Sequence, residues 1–445
     1  MRRWGRGIAL GLALLAGCAR GTKEDRLAEP FLLVWAGDAD RKDPDFLAVI
    51  DASPRSSTYG KVLKTYPVRP SGNEPFGLSA TQRPDRRVFA TGLLSNAVFV
   101  FDLRNPLDGR VLAALGGQDR QLAAPHDVVN LANGHVVVTC PDRVRYRGEP
   151  KELLRTPGGL RELDANGKVL REVSDIDPRQ RGIIQASTGA AVDGSGTLLA
   201  TTSRGHGLAS TNRGSFIPGI AVQTWHLPDL SLIRTSLLET GPRGDENLGP
   251  LAVTFRRDRA HAFVATHEGG ALYASDSMSA PEPVFRRVFD FGAGSLPTGA
   301  ALTPDDRWYV QALPGKQRLV LLDARDLFHP TMTYGLRFDR DPADESRERK
   351  GGPSGLTMSA DGSRVAVADY TMDVPGYQLD GDHRVYMVRL DRDPQPRLRF
   401  DAAFKDEHTG EIGVDFDRKH WPHGDTGPAR PHGMLFVTPA PPPGD

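Results

Sequence analysis

Cysteine is nearly absent from this chain: Cys18 and Cys140 are the only two in 445 residues. A small scaffold stapled by several disulfides is therefore excluded. Neither sign of charge is in excess, because 56 Lys+Arg balance 56 Asp+Glu. That balance gives no reason to expect a nucleic-acid partner, and no segment reads as an acidic or basic tail. The sequence also lacks G-x-S-x-G, a Gly-rich phosphate loop and C-x-x-C pairs. Hydrolase, nucleotide-binding and zinc-finger readings are left without support.

Turn formers are abundant, with 48 Gly and 35 Pro, as expected where many short strands are joined tightly. A strand–turn–strand unit recurs along the chain. Its outer members are Phe46–Asp51, Val98–Leu103, Gly158–Leu163, Ala221–Leu227, Gly270–Asp276, Arg318–Ala324 and Arg384–Leu390. A second strand precedes each, and the units lie roughly 50–65 residues apart, the spacing of a radial β-repeat. Each unit also has an inner strand that opens on small residues or proline, such as Pro75-Phe76-Gly77, Pro125-His126-Asp127 and Pro431-His432-Gly433. Such starts suit a crowded axis.

The inner strand Met434–Val437 has no later partners, while Phe31–Trp35, Phe46–Asp51 and Lys61–Val68 have no earlier inner strand. Pairing the two ends completes one four-stranded blade and hides its edges. The predicted fold is an all-β, seven-bladed β-propeller over 31–437, with a polar tether at 19–30 and a disordered tail at 438–445. If the inner starts and the ends of the second strands share one rim, His126 and His432 lie near the axis. Phe76 falls between them, and Cys140, His206, His267 and Asp369 sit farther out.

Residues 1–18 carry a separate signal. Arg2, Arg3 and Arg6 precede the apolar stretch Ile8–Leu15, which is too short to span a bilayer. It ends in Leu15-Ala16-Gly17-Cys18, which looks like a lipobox, with cleavage before Cys18 and lipid on that cysteine. Ala19 in place of Asp favours the outer membrane in that resemblance. The expectation is a periplasmic protein anchored through Cys18. Lipidation would leave Cys140 as the single thiol, more often buried and inert than reactive without a basic partner.

The opening stretch Phe31–Val62 resembles the start of the selenium-binding protein family, which includes bacterial methanethiol oxidases. Gly72-Asn73-Glu74-Pro75, Leu93–Leu103, Pro125-His126, Gly158-Gly159, Gly351–Gly362 and Gly427–His432 support the resemblance in the right order. It implies a seven-bladed propeller and oxidation of methanethiol at copper bound by histidines. The family's Pro-His matches Pro125-His126, and its C-terminal histidine matches His432. The histidine pair after Glu-Pro is Phe76-Gly77 here, the second histidine of the Pro-His motif is Val129, and the selenium-linked cysteine motif is missing.

Copper needs about three or four imidazole-type donors. The expected metal set is His126 and His432, with His267 and His206 as replacements from the outer rim, and Phe76 and Glu74 line the substrate pocket. The expected substrate is a small thiol or related sulfur compound, and the expected state is a monomer. A different reading is a non-enzymatic propeller that keeps the scaffold and binds a ligand or protein on its rim. His420-Trp421-Pro422-His423 has metal-like spacing, but its proline and the following glycine suggest an irregular surface loop.

Overall fold

A computed structural model describes residues 30–116, 122–143, 158–206, 217–258, 260–374 and 377–441. The predicted signal sequence and Cys18 lie outside these residues. Seven antiparallel sheets of four or more strands are arranged as the blades of a propeller. Blade 1 runs outward in the order Ala429–Val437, Phe31–Asp38, Phe46–Asp51 and Val62–Pro67. The last strand of the chain is therefore the inner strand of the first blade, as the unpaired ends required. Val34 lies opposite Met434 and Phe31 opposite Val437. The closing strand begins at Ala429, five residues before the expected Met434, because the ladder continues past a register shift between Val34 and Ala36.

Alternation explains why these strands read as nearly unbroken apolar runs. Leu32, Val34, Phe46 and Ile50 pack toward blade 7 with Val385, Met387 and Phe436. Leu33, Trp35, Leu47 and Val49, one residue out of phase, pack toward blade 2 with Phe99 and Phe101. Both faces of a blade are covered by its neighbours, so no polar alternation survives. Past Val437 the chain continues along blade 2. Thr438 N–H donates to Gln82 Oε1 at 3.1 Å and Ala440 N–H to the Arg104 carbonyl at 2.9 Å. The expected disorder from residue 438 is thus replaced by docked backbone up to that point.

Threonines on second strands tie adjacent blades together at the axis. Thr91 Oγ1 accepts from Gly77 N–H at 2.8 Å and donates to the His126 carbonyl at 2.8 Å. Thr202 Oγ1 repeats the arrangement with Gly189 N–H at 3.0 Å and the Leu251 carbonyl at 2.7 Å. Each hydroxyl satisfies two backbone groups that the converging inner strands leave outside any ladder. Among the described residues no helix is long and apolar enough to cross a membrane.

Candidate functional site

Two close backbone approaches build the axial site. A side-chain carbon on Gly77 would lie 2.0 Å from the His126 carbonyl, and one on Gly433 would lie 2.7 Å from that of Phe76. Only glycine lets blades 1, 2 and 3 converge this closely. The convergence brings His126 and His432 onto the ring between them. Phe76 has its ring centroid 4.0 Å from that of His126 and 4.2 Å from that of His432.

Both imidazoles are buried, His126 at 2% exposure and His432 at 8%. His432 Nδ1 donates to the Phe76 carbonyl at 3.1 Å, which fixes the tautomer with its lone pair on Nε2. That Nε2 is buried without a well-formed hydrogen bond, and burial pushes the ring's pKa down to about 4, with His126 adding to the shift. His126 Nδ1 lies 3.3 Å from Asp127 Oδ1 without forming a hydrogen bond. Above the three rings, Leu93, Ala124 and Met372 close an apolar roof against Phe76.

Glu74, one turn earlier, is buried and adopts a left-handed backbone at φ 48°. Its Oε1 accepts from Tyr370 OH at 2.7 Å and its Oε2 pairs with Arg41 Nη2 at 2.7 Å. Burial raises its pKa despite both partners. Glu74, Pro75, Tyr370, Arg41 and Arg430 line a cavity of about 250 Å³ shared with the loop from Asp38 to Asp45. In that loop burial lifts the Asp38 pKa to about 6.

The remaining sequence candidates do not join this cluster. His267 is fully buried between blades 5 and 6, with Nδ1 on the Pro297 carbonyl at 2.9 Å. Burial, then the nearby Arg204 charge, holds its ring well below the usual histidine range. It serves as a neutral packing group there, not as an outer-rim donor. His206 ends the second strand of blade 4, its backbone opposite Ile217. His420 turns to Asp425 at 2.6 Å and His423 to Thr65 at 2.8 Å, so the H-x-x-H pair diverges. Cys140 is fully buried, and its thiol is pushed up to about 12 by desolvation.

The copper expected from the resemblance does not fit these residues as a site with several protein donors. Two imidazoles are brought together, and a phenyl ring packs on both. Among the described residues, the one set of three His, Cys, Asp or Glu donors within 4.8 Å of one another is Asp38, Asp40 and Asp43, on the loop beside the cavity. What the sequence did not reveal is the roof: Met372 and Tyr370 come from a long link in blade 7 that has no motif of its own.

No family model matches the chain. Over 258 residues it is 27% identical to selenium-binding protein 3 of Arabidopsis thaliana, a match spanning 52% of this chain and 49% of that protein. A hypothetical selenium-binding protein from Sulfolobus tokodaii superposes with a TM-score of 0.71 at 18% identity, covering 91% of this chain and 93% of the other. The chain is similar to the selenium-binding proteins over about half its length. The periplasmic gluconolactonase of Pseudomonas aeruginosa shares the fold of this selenium-binding-protein-like propeller, at a TM-score of 0.59 and 12% identity over 92% and 99% of the two chains. At such identity the likeness speaks for the scaffold alone.

Proposed function

We propose that this selenium-binding-protein-like propeller is an exported, lipid-anchored protein that binds a small ligand at the axial rim. The observation that carries the reading is Phe76, whose ring rests on both His126 and His432. A histidine in that position would give a third donor, whereas a phenyl ring gives an apolar wall and leaves the copper site implied by the resemblance without its ligand set. The two imidazole lone pairs and the polar cavity at Glu74 then offer hydrogen bonds to a small polar ligand. Export and anchoring rest on the lipobox at Leu15–Cys18. Loss of membrane association in Cys18→Ala tests that part.

A second reading retains copper-dependent oxidation of a small thiol such as methanethiol, and the buried Nε2 of His432, which lacks a well-formed hydrogen bond, favours it. Oxygen uptake by copper-treated protein given methanethiol separates the two. Uptake no greater than that of untreated protein supports the binding role. Uptake above that background, lost in His126→Ala/His432→Ala, overturns it.

A further inference from the structure

Blades 5 and 6 join their second and third strands by short turns, Thr266 to Ala271 and Leu313 to Arg318. In blade 7 the second strand ends at Ala368 and the third begins at Arg384, a longer separation. The base of this link is closed by backbone hydrogen bonds, Asp369 N–H to the Arg384 carbonyl at 2.8 Å and His383 N–H to the Asp369 carbonyl at 3.0 Å. The link carries Tyr370, whose hydroxyl binds Glu74, and Met372, which packs on Phe76. It is the roof of the axial cluster.

A carboxyl pair stands at the base of this link. Asp369 is fully buried. Its Oδ1 accepts from Gly352 N–H, while Oδ2 is buried without a donor. The group within hydrogen-bonding reach of Asp369 is another carboxyl, that of Asp382. Asp382 is already supplied with donors: Tyr386 OH at 2.6 Å, Arg349 Nη2 at 2.8 Å and Arg384 N–H at 3.2 Å. Two carboxyl groups that otherwise only accept can bond only with a proton between them. The guanidinium and the phenol already donate to Asp382, so the proton belongs to Asp369.

We propose that the Asp369–Asp382 pair is a proton-operated latch that holds Tyr370–Met372 against the cluster of Phe76, His126 and His432, and that loss of its one proton to solvent releases them. Two buried carboxylates side by side would repel, and Tyr370–Met372 follow directly on Asp369. The other charged groups packed nearby do not relieve this. Arg349 is shared with Asp341 and Glu411, Lys350 faces Asp380, and His383 is bonded to Asp380 and Asp417. Burial, then the Asp382 charge, raises Asp369 well above its ordinary 3.8. The proton's contribution is therefore complete below that ordinary value and is lost as pH rises through the raised one. The latch would control access to the proposed binding site, but its test uses no ligand, so the two readings fail separately.

Amide hydrogen exchange over residues 370–374, corrected for intrinsic rates, tests the latch in the whole protein. Between about pH 5 and about pH 9 the wild type is expected to lose protection by at least about tenfold. Asp369→Asn, whose amide donates to Asp382 without titrating, is expected to keep its protection throughout. Unchanged protection in the wild type, or the same loss in Asp369→Asn, overturns the proposal. Should that variant not fold, infrared difference spectra of the wild type decide. A protonated carboxyl band that vanishes with the same midpoint as the protection supports the latch, and no such band overturns it.

Discussion

His432 holds Phe76 twice, by a 3.1 Å hydrogen bond from Nδ1 to the Phe76 carbonyl and by ring packing at 4.2 Å. The first contact orients the imidazole, and the second covers the face along which a ligand would approach. A backbone-anchored histidine beside an apolar ring is thus the central fact of the rim, and it makes position 76 the switch between two chemistries.

Phe76→His should convert the pair into a three-imidazole site. We expect copper affinity at least about a hundredfold above wild type, since the third donor completes the set that imidazole-bound copper needs. Isothermal titration, with the visible copper absorption as a second readout, measures it. Equal affinity in the two proteins would show that His126 and His432 do not face the space occupied by the phenyl ring.

Much of the architecture was legible because a propeller blade is buried on both faces and repeats. All seven predicted outer members coincide with observed third strands, from Phe46–Asp51 to Arg384–Asp391. Closure followed from counting unpaired strands. The site was legible only where a backbone signal marked it, at the glycines beside Phe76 and His432. Sequence position set His267 directly after the second strand of blade 5, as observed, but not its full burial against the Pro297 carbonyl. The contacts of Tyr370 and Met372 escaped notice because they sit at and just before a three-residue strand, Met372–Val374, too short to show a periodicity.

Ring closure should account for a large share of stability. Phe436 is 3% exposed and packs in the core between blades 1 and 7. Phe436→Ala should cost about 3–5 kcal/mol by chemical denaturation. Deleting residues 431–445 should abolish the cooperative transition, because it opens a blade with two edges. A truncated protein melting at the wild-type temperature would refute closure as a stabilising device.

Acid should weaken the fold through His432. The unfolded ring binds a proton below its ordinary 6.5, while the folded ring resists until about 4. Stability from this neutral histidine is therefore present above pH 6.5 and lost as pH falls toward 4. The loss amounts to about 3 kcal/mol. His432→Gln, which does not titrate, should flatten that part of the stability profile measured in urea.

Cys140 should be inert in the folded protein. Its thiol is fully buried and its pKa stands near 12, so almost no thiolate exists at neutral pH. In a Cys18→Ser protein, a chromogenic disulfide reagent should label no thiol without denaturant and one with it. Rapid labelling under native conditions would mean that blade 3 opens locally far more readily than its packing implies.

The axial geometry itself depends on Thr91, which touches no ligand. Its hydroxyl is bonded to Gly77 N–H and to the His126 carbonyl, both at 2.8 Å, and the residue is fully buried. Thr91→Val keeps the shape but leaves that N–H and that carbonyl without this partner. The expected cost is about 1–3 kcal/mol, read from denaturant midpoints with an unchanged slope. Because the lost bond links blade 2 to the backbone of His126, the imidazole should shift relative to Phe76. The aromatic proton resonances of His126 would then move, whereas those of His267, on the far side of the ring, would not. A stability loss with unmoved His126 resonances would reduce Thr91 to a packing residue. Movement at both histidines would show that the whole disc relaxes.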